Sequence, residues 1–437
     1  MATTARSRKK RVEAAPAVAL AFTEHPSRPS ALGEVHARPF PEIPPDSVLL
    51  HYAFSSTDGG AASRDVLSRI CAARGVAQPD PSARYHAVAW GRGMLRWERH
   101  AEFTTFLWDG PAPDRFMGEV EGQPFNAGFA EAGELVSSCR LEVRRHDQAN
   151  MKLLERFEKR ALSVNVLEDG HSLVATDFRQ DASGMTVFLM LESQLKPWRI
   201  GYFAKTVIEL ETYRVLTVFG LPMAQKISGG LNRFEDELGR LTTEMRNPEP
   251  DGGQKLLDQM TRLAAELEAD SAASLFRFGA TRAYGDILAE RMYALGTATL
   301  PGHKNFETFL ERRIAPALRT CRSVEERQAN LSLKLSRAAD LLRTRVEVEM
   351  AVQNSNLLDS MNQRARQQLR LQQTVEGLSV AAISYYVVGL FYYMVQAAKP
   401  HLPEMFSPQV LTGLFVPVSI LLVWWTVRRI RSRTDGD

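Results

Sequence analysis

Two apolar runs near the end of the chain stand apart from everything before them. Residues 377–398 hold no Asp, Glu, Lys or Arg. In a helix, about 22 such residues cover roughly 33 Å, enough to cross a hydrocarbon core. Residues 410–427 form a second run of about 18, at the short end of the spanning range. The pattern predicts transmembrane helices over 377–398 and 410–427, joined by a loop over 399–409.

Upstream, apolar residues recur at spacings of three and four: Leu331, Leu335, Ala338, Leu342, Val346 and Met350, then Leu357, Met361, Ala365 and Leu369. That period marks one buried stripe on a helix. Ser323-Val-Glu-Glu326 matches a capping box, in which the Ser and the Glu three residues on satisfy free amides at a helix start. No Pro lies between Pro316 and Pro400, and the only glycines there are Gly377 and Gly389. A single helix is therefore expected from about residue 323 through the first apolar run, on the order of 110 Å long. Its stripe needs partners, either the preceding helices or other copies of the chain. Asn354, Asn356 and Asn362 interrupt the stripe; such polar positions either fix register and oligomer state or face water.

Further upstream the period changes. Strands are expected at 85–90 and 94–99 around Gly91-Arg92-Gly93, and at 103–108, 135–143, 172–178 and 185–191. Helices are expected at 62–74, 150–161, 199–219, 231–245, 254–269, 274–295 and 306–319. Residues 23–47 are rich in Pro and read as irregular. The fold class is α+β: an α/β-like domain, a long stalk helix and a two-helix transmembrane hairpin. The segments are a basic tail at 1–22, the α/β domain at 23–220 and a helical region at 221–322. The stalk at 323–376, the hairpin at 377–427 and a basic tail at 428–437 follow.

Charge orients the hairpin. Arg364, Arg366 and Arg370 precede it, and Arg428, Arg429, Arg431 and Arg433 follow it. The loop between the spans holds Lys399, His401 and Glu404. By the positive-inside rule both ends face the cytoplasm, which points to a multi-pass protein of the inner (plasma) membrane. Over the whole chain, 54 Lys and Arg nearly balance 51 Asp and Glu, so nucleic acid is not expected as a partner. Membrane lipid is. Cys71, Cys139 and Cys321 form no CxxC pair, and neither HxxxH nor HExxH occurs. No cofactor is expected.

Three stretches carry a specific resemblance: Glu34-Val-His-Ala-Arg-Pro-Phe40, Arg96-Trp-Glu-Arg-His-Ala-Glu-Phe103, and the run from Arg370 to Tyr386. They resemble signatures of a bacterial family of predicted membrane-anchored proteins, domain-of-unknown-function family 3422. The resemblance implies location and topology.

The order of elements is also similar to the CorA magnesium-channel family, which implies a homo-oligomer whose stalk and first span line a pore for inorganic cations. CorA closes that span with Gly-Met-Asn. Here Met394 stands in the Met position, with Tyr393 and Val395 for Gly and Asn. On this reading Gln372, Glu376, Ser379, Ile383, Tyr386, Leu390 and Met394 share one pore-facing line. Glu404 is the one acid of the outer loop.

Two functions follow as expectations. One is an oligomeric ion channel, transporter or its regulator. The other is a non-conducting, membrane-tethered scaffold or sensor whose cytoplasmic domain binds a ligand or partner. On the second, Trp90, Trp97, Phe103, Phe106 and Trp108 form either a binding face or a core. Catalysis would have to come from His36, Arg38, Glu98, His100 and Glu102. They offer acids and bases without a nucleophile or phosphate loop, so the chain is not expected to be an enzyme.

Overall fold

The segment Ser47–Ser55 reads SVLLHYAFS and is buried along nearly its whole length on both sides. Such a strand needs a covering layer on each face of its sheet. In the computed structural model it is β1, at the middle of an eight-stranded sheet ordered β2-β3-β4-β1-β5-β8-β7-β6. The other strands are β2 (Tyr85–Trp90), β3 (Gly93–Arg99), β4 (Phe103–Pro111), β5 (Leu135–Arg145), β6 (Ser163–Val166), β7 (Leu173–Thr176) and β8 (Thr186–Glu192). Every neighbouring pair is antiparallel except β5 and β8. A parallel pair needs a long crossover, and here the β6–β7 hairpin itself lies within that crossover.

The structure describes residues 22–23, 25–28, 31–32, 40–126, 129–130, 132–246, 252–398 and 407–434. They fall into two compact units: Met1–Arg240 with Thr261–Ser336, and Leu241–Met260 with Arg337–Asp437.

In the first unit, one sheet face is covered by α1 (Ala61–Arg74). Leu67 and Cys71 pack with Leu95, Trp97, Phe106 and Trp108, and Trp97 Nε1 donates to Ser63 Oγ at 2.6 Å. The aromatic strand residues Trp97, Phe103, Phe106 and Trp108 are therefore core, and Trp90 is half-buried. Helix α1 stops at Gly75, whose φ of 63° suits glycine and closes the C-terminus.

The opposite face is covered by α2 (Pro197–Val218), through Phe203, Ala204, Val207 and Leu210. Helix α3 (Gly220–Glu244) follows it. The end of α4 (Gly253–Leu295) and the first turns of α5 (Phe306–Ala398) add Leu288, Leu295, Phe306 and Phe309 to this layer.

The strap before β1 crosses α2 closely. The Ile43 amide donates to Pro197 O at 3.0 Å, and a Cβ at position 201 would overlap the Pro41 carbonyl oxygen. Gly201→Ala is expected to lift residues 40–43 off the helix. Overpacking of this kind costs roughly 1–3 kcal/mol. Loss of hydrogen-exchange protection at the Ile43 amide checks it.

The outer rim of β6 is closed by the connector between α4 and α5. Val164 and Val166 donate to Lys304 O and Ala298 O, each at 2.8 Å. Asn165 ties the same connector down, donating to Gly296 O at 2.5 Å and accepting from the Phe306 amide at 2.8 Å.

Several elements differ from the sequence pattern. Residues 150–161 form only a turn of helix, Gln148–Met151, and a 3-10 turn, Lys152–Arg156, because the chain must reverse into β6. Helix α4 runs unbroken through 270–273, where Ser274 Oγ donates back to Asp270 O and Ser271 O at 3.1 and 3.0 Å. Helix α5 starts at Phe306, with Asn305 Oδ1 accepting from the Thr308 amide at 2.8 Å. It continues through Pro316 and through the capping-box residues Ser323 to Glu326. Ile314, Ala317, Cys321 and Val324 are buried along this stretch; packing holds the helix where a Pro would otherwise interrupt it.

In the second unit, Arg345 Nη1 donates to Met245 O at 3.1 Å. From Ala351 to Val375 every residue of α5 is exposed. The apolar end of α5 packs against α6 (Pro408–Thr434), with Phe391 and Phe415 stacked at 3.9 Å. Ser384, Ser419 and Val423 are buried there. Both helices are long and apolar enough to cross a membrane. The architecture is thus an α/β sheet domain followed by a long helix and a final apolar helix.

Candidate functional site

On the α2 face, the apolar layer of the sheet gives way to a cluster of ionisable side chains near β3. Glu98 and His100 come from β3 and the residue after it, Thr105 from β4 and His51 from β1. Lys205, Glu209 and Tyr213 descend from α2, one helical turn apart. Lys205 Nζ donates to Glu98 Oε1 at 2.8 Å, and His100 Nε2 lies 3.8 Å from Glu98 Oε2. The His100 ring stacks on Phe103 with centroids 4.2 Å apart. These groups line a cavity of about 30 Å³, large enough for about one water.

His51 is the unusual member. It is 4 % exposed, and its Nδ1 has no hydrogen-bond partner. Burial, reinforced by the Lys205 ammonium, lowers its pKa from 6.5 to about 3. At neutral pH it is a neutral imidazole facing an ion pair.

A second cluster borders the first. Glu102 accepts from the Tyr284 hydroxyl at 2.5 Å and from Arg277 Nη2 at 2.8 Å. Burial and the bond to Glu102 push the Tyr284 phenol well above its usual range. Tyr213 stacks on Tyr284 at 5.6 Å. Glu209 is paired with Arg291 at 2.7 Å. Each of Glu98, Glu102 and Glu209 thus meets a cation, which is how a buried carboxylate is tolerated. No group of three or more His, Cys, Asp or Glu that could hold a metal occurs among the described residues. The cysteines are buried, and burial raises the thiol pKa of each, the opposite of what activates a nucleophile.

Of the acid–base residues read from the sequence, Glu98 and His100 do share one site, while Glu102 serves the neighbouring cluster. His36 and Arg38 lie outside the described residues. The pattern did not single out His51, Lys205 or Tyr284. Lys205 and Glu209 carried a signal, since both interrupt an otherwise apolar helix face. His51 inside an apolar strand carried another.

The line read as pore-facing is placed on the exposed surface of α5. Gln372, Ser379, Ile383, Tyr386, Leu390 and Met394 are exposed, and Glu376 is half-exposed. The residues facing α6 form a separate line beside it. Glu404 lies outside the described residues. At the end of α6, Arg428 and Arg429 sit over the Trp424 and Trp425 rings at 4.9 and 5.0 Å.

Together these features define an α/β-sheet protein that carries a long helix and two apolar C-terminal helices. The chain belongs to the family described as protein of unknown function DUF3422, whose model matches residues 23–434. No curated protein matches it.

Proposed function

We propose that this protein is a membrane-anchored scaffold that self-associates along α5. The observation that carries the reading is one continuous exposed line. It begins with Leu358, Met361, Ala365 and Leu369 and runs on through Gln372, the half-exposed Glu376 and Ser379 to Ile383, Tyr386, Leu390 and Met394. Leu358, Met361 and Leu369 are 55–60 % exposed, and Tyr386 is 70 % exposed. Outside the bilayer, apolar residues at spacings of three and four, here Leu358 to Leu369, need a packing partner. A second copy supplies the same stripe in the same register. Trp424 and Trp425 beside the arginines support an interfacial anchor at the cytoplasmic side of the inner membrane. The buried ionic cluster is read as holding α2 to the sheet rather than as catalysing a reaction.

The experiment is native mass spectrometry of the full chain released from nanodiscs. An oligomer is expected for the native protein. Leu358→Lys with Met361→Lys is expected to shift it to monomer, while Gln367→Lys, on the opposite side of the helix, leaves the mass unchanged. A monomeric native protein, or an oligomer indifferent to the double substitution, would sink the reading.

Conduction is the second reading, favoured by Gln372, Glu376 and Ser379 on the same line. The CorA likeness itself rests on the order of elements alone. Liposome flux of mono- and divalent cations that is lost in Ser379→Trp would support conduction. Flux equal to that of empty vesicles would leave the scaffold.

A further inference from the structure

A groove of about 730 Å³ lies on the other face of the sheet, beside α1. Its floor is apolar: Val66 and Ile70 from α1, and Phe129 from the segment after β4. Phe129 is held by edge-on contacts to Phe106 at 5.3 Å and Phe125 at 5.0 Å, and Phe106 is fully buried. The floor is therefore anchored in the core and preformed. Its rim is cationic. The Arg74 guanidinium carbon sits 3.7 Å from the Trp90 ring centroid and Nη1 donates to Ala89 O at 3.4 Å, contacts that position the charge without neutralising it. Arg69, five residues earlier on α1, has no ion pair among the described residues. Among the described residues, no Asp or Glu lines the groove.

The volume falls within the usual range for small-ligand sites, which combine apolar walls with a few fixed polar groups. Two guanidiniums over an apolar floor select negative charge on an apolar body, because the planar donor fork of Arg matches a carboxylate or phosphate. We infer that this groove binds a small organic anion. Its flat apolar body lies on Val66, Ile70 and Phe129, and its carboxylate or phosphate meets Arg69 and Arg74. The site stands whether or not copies of the chain associate.

Calorimetric titration of the full chain in nanodiscs tests this, with empty nanodiscs as blank. The probes are 2-naphthoate, 2-naphthyl phosphate and uncharged 2-naphthalenemethanol. The anions are expected to bind roughly tenfold or more tightly than the alcohol, as charge-assisted hydrogen bonds require. Arg69→Gln, at an exposed position, is expected to remove most of that preference and leave weak binding of the alcohol. Added salt weakens the anions alone. The stronger of the two anions tells a carboxylate ligand from a phosphate one. Equal affinity for anion and alcohol, an Arg69→Gln protein that still prefers the anions, or no heat with any probe at millimolar concentration would overturn the inference.

Discussion

Between pH 6.5 and about 3 the sheet unit is expected to lose stability through one side chain, His51. In the unfolded chain the imidazole takes up a proton near its ordinary pKa of 6.5; in the folded protein it resists protonation down to about 3. The unfolded state then binds more protons than the folded one throughout that window. Stability is complete above the unfolded pKa and falls on acidification, with a slope approaching about 1.4 kcal/mol per pH unit. Carried across the whole window, the loss is about 5 kcal/mol, comparable to the total stability of many domains. Urea unfolding at pH 5, 6 and 7, followed by the fluorescence of the buried Trp97 and Trp108, measures it. His51→Leu is expected to flatten the slope while changing stability at pH 8 by about 1 kcal/mol or less, a small effect for a core change that keeps the site filled. A variant with the native slope would show that another group governs the acid response.

The second large effect comes from the ion pair facing that imidazole. The side chains of Lys205 and Glu98 are 8 % and 12 % exposed. Removing one partner leaves the other charge buried and uncompensated, at a cost of about 3–5 kcal/mol. Lys205→Met is therefore expected to destabilise the sheet unit by that amount. Lys205→Met combined with Glu98→Leu is expected to recover most of it, because no orphaned carboxylate remains. The urea midpoint of the two variants decides the matter. A double variant no more stable than Lys205→Met would mean that packing, not charge, accounts for the loss. The Lys205 ammonium also contributes to the low His51 pKa, so Lys205→Met should reduce the acid-induced loss.

The sequence made the long-range layout legible because that layout is written in periodic stripes and in uncharged runs of membrane-spanning length. The apolar runs show by their length and lack of charge, and the stripe on α5 and the strands around Gly91 and Gly93 repeat with the period of the element they form. Other features were not legible. β1 is buried on both faces, so SVLLHYAFS lacks the alternation that marks a half-exposed strand. β6 is only four residues long and takes its outer hydrogen bonds from residues near 300. Helix α5 begins well before its capping box, because burial of Cys321 and Val324 overrides a local start signal. The candidate site was half visible. Glu98 and His100 are close in sequence, whereas Lys205 joins them from more than a hundred residues away.

The seal on β6 has a consequence for how the protein is made. The atoms that cover this strand's outer rim arrive 131 and 141 positions after Asn165. At a synthesis rate of about 5–20 residues per second, the nascent strand waits roughly seven to thirty seconds with its outer backbone amides uncovered. An uncovered strand edge recruits other strands. On a crowded polysome, that interval is when neighbouring nascent chains are most prone to mispair with each other.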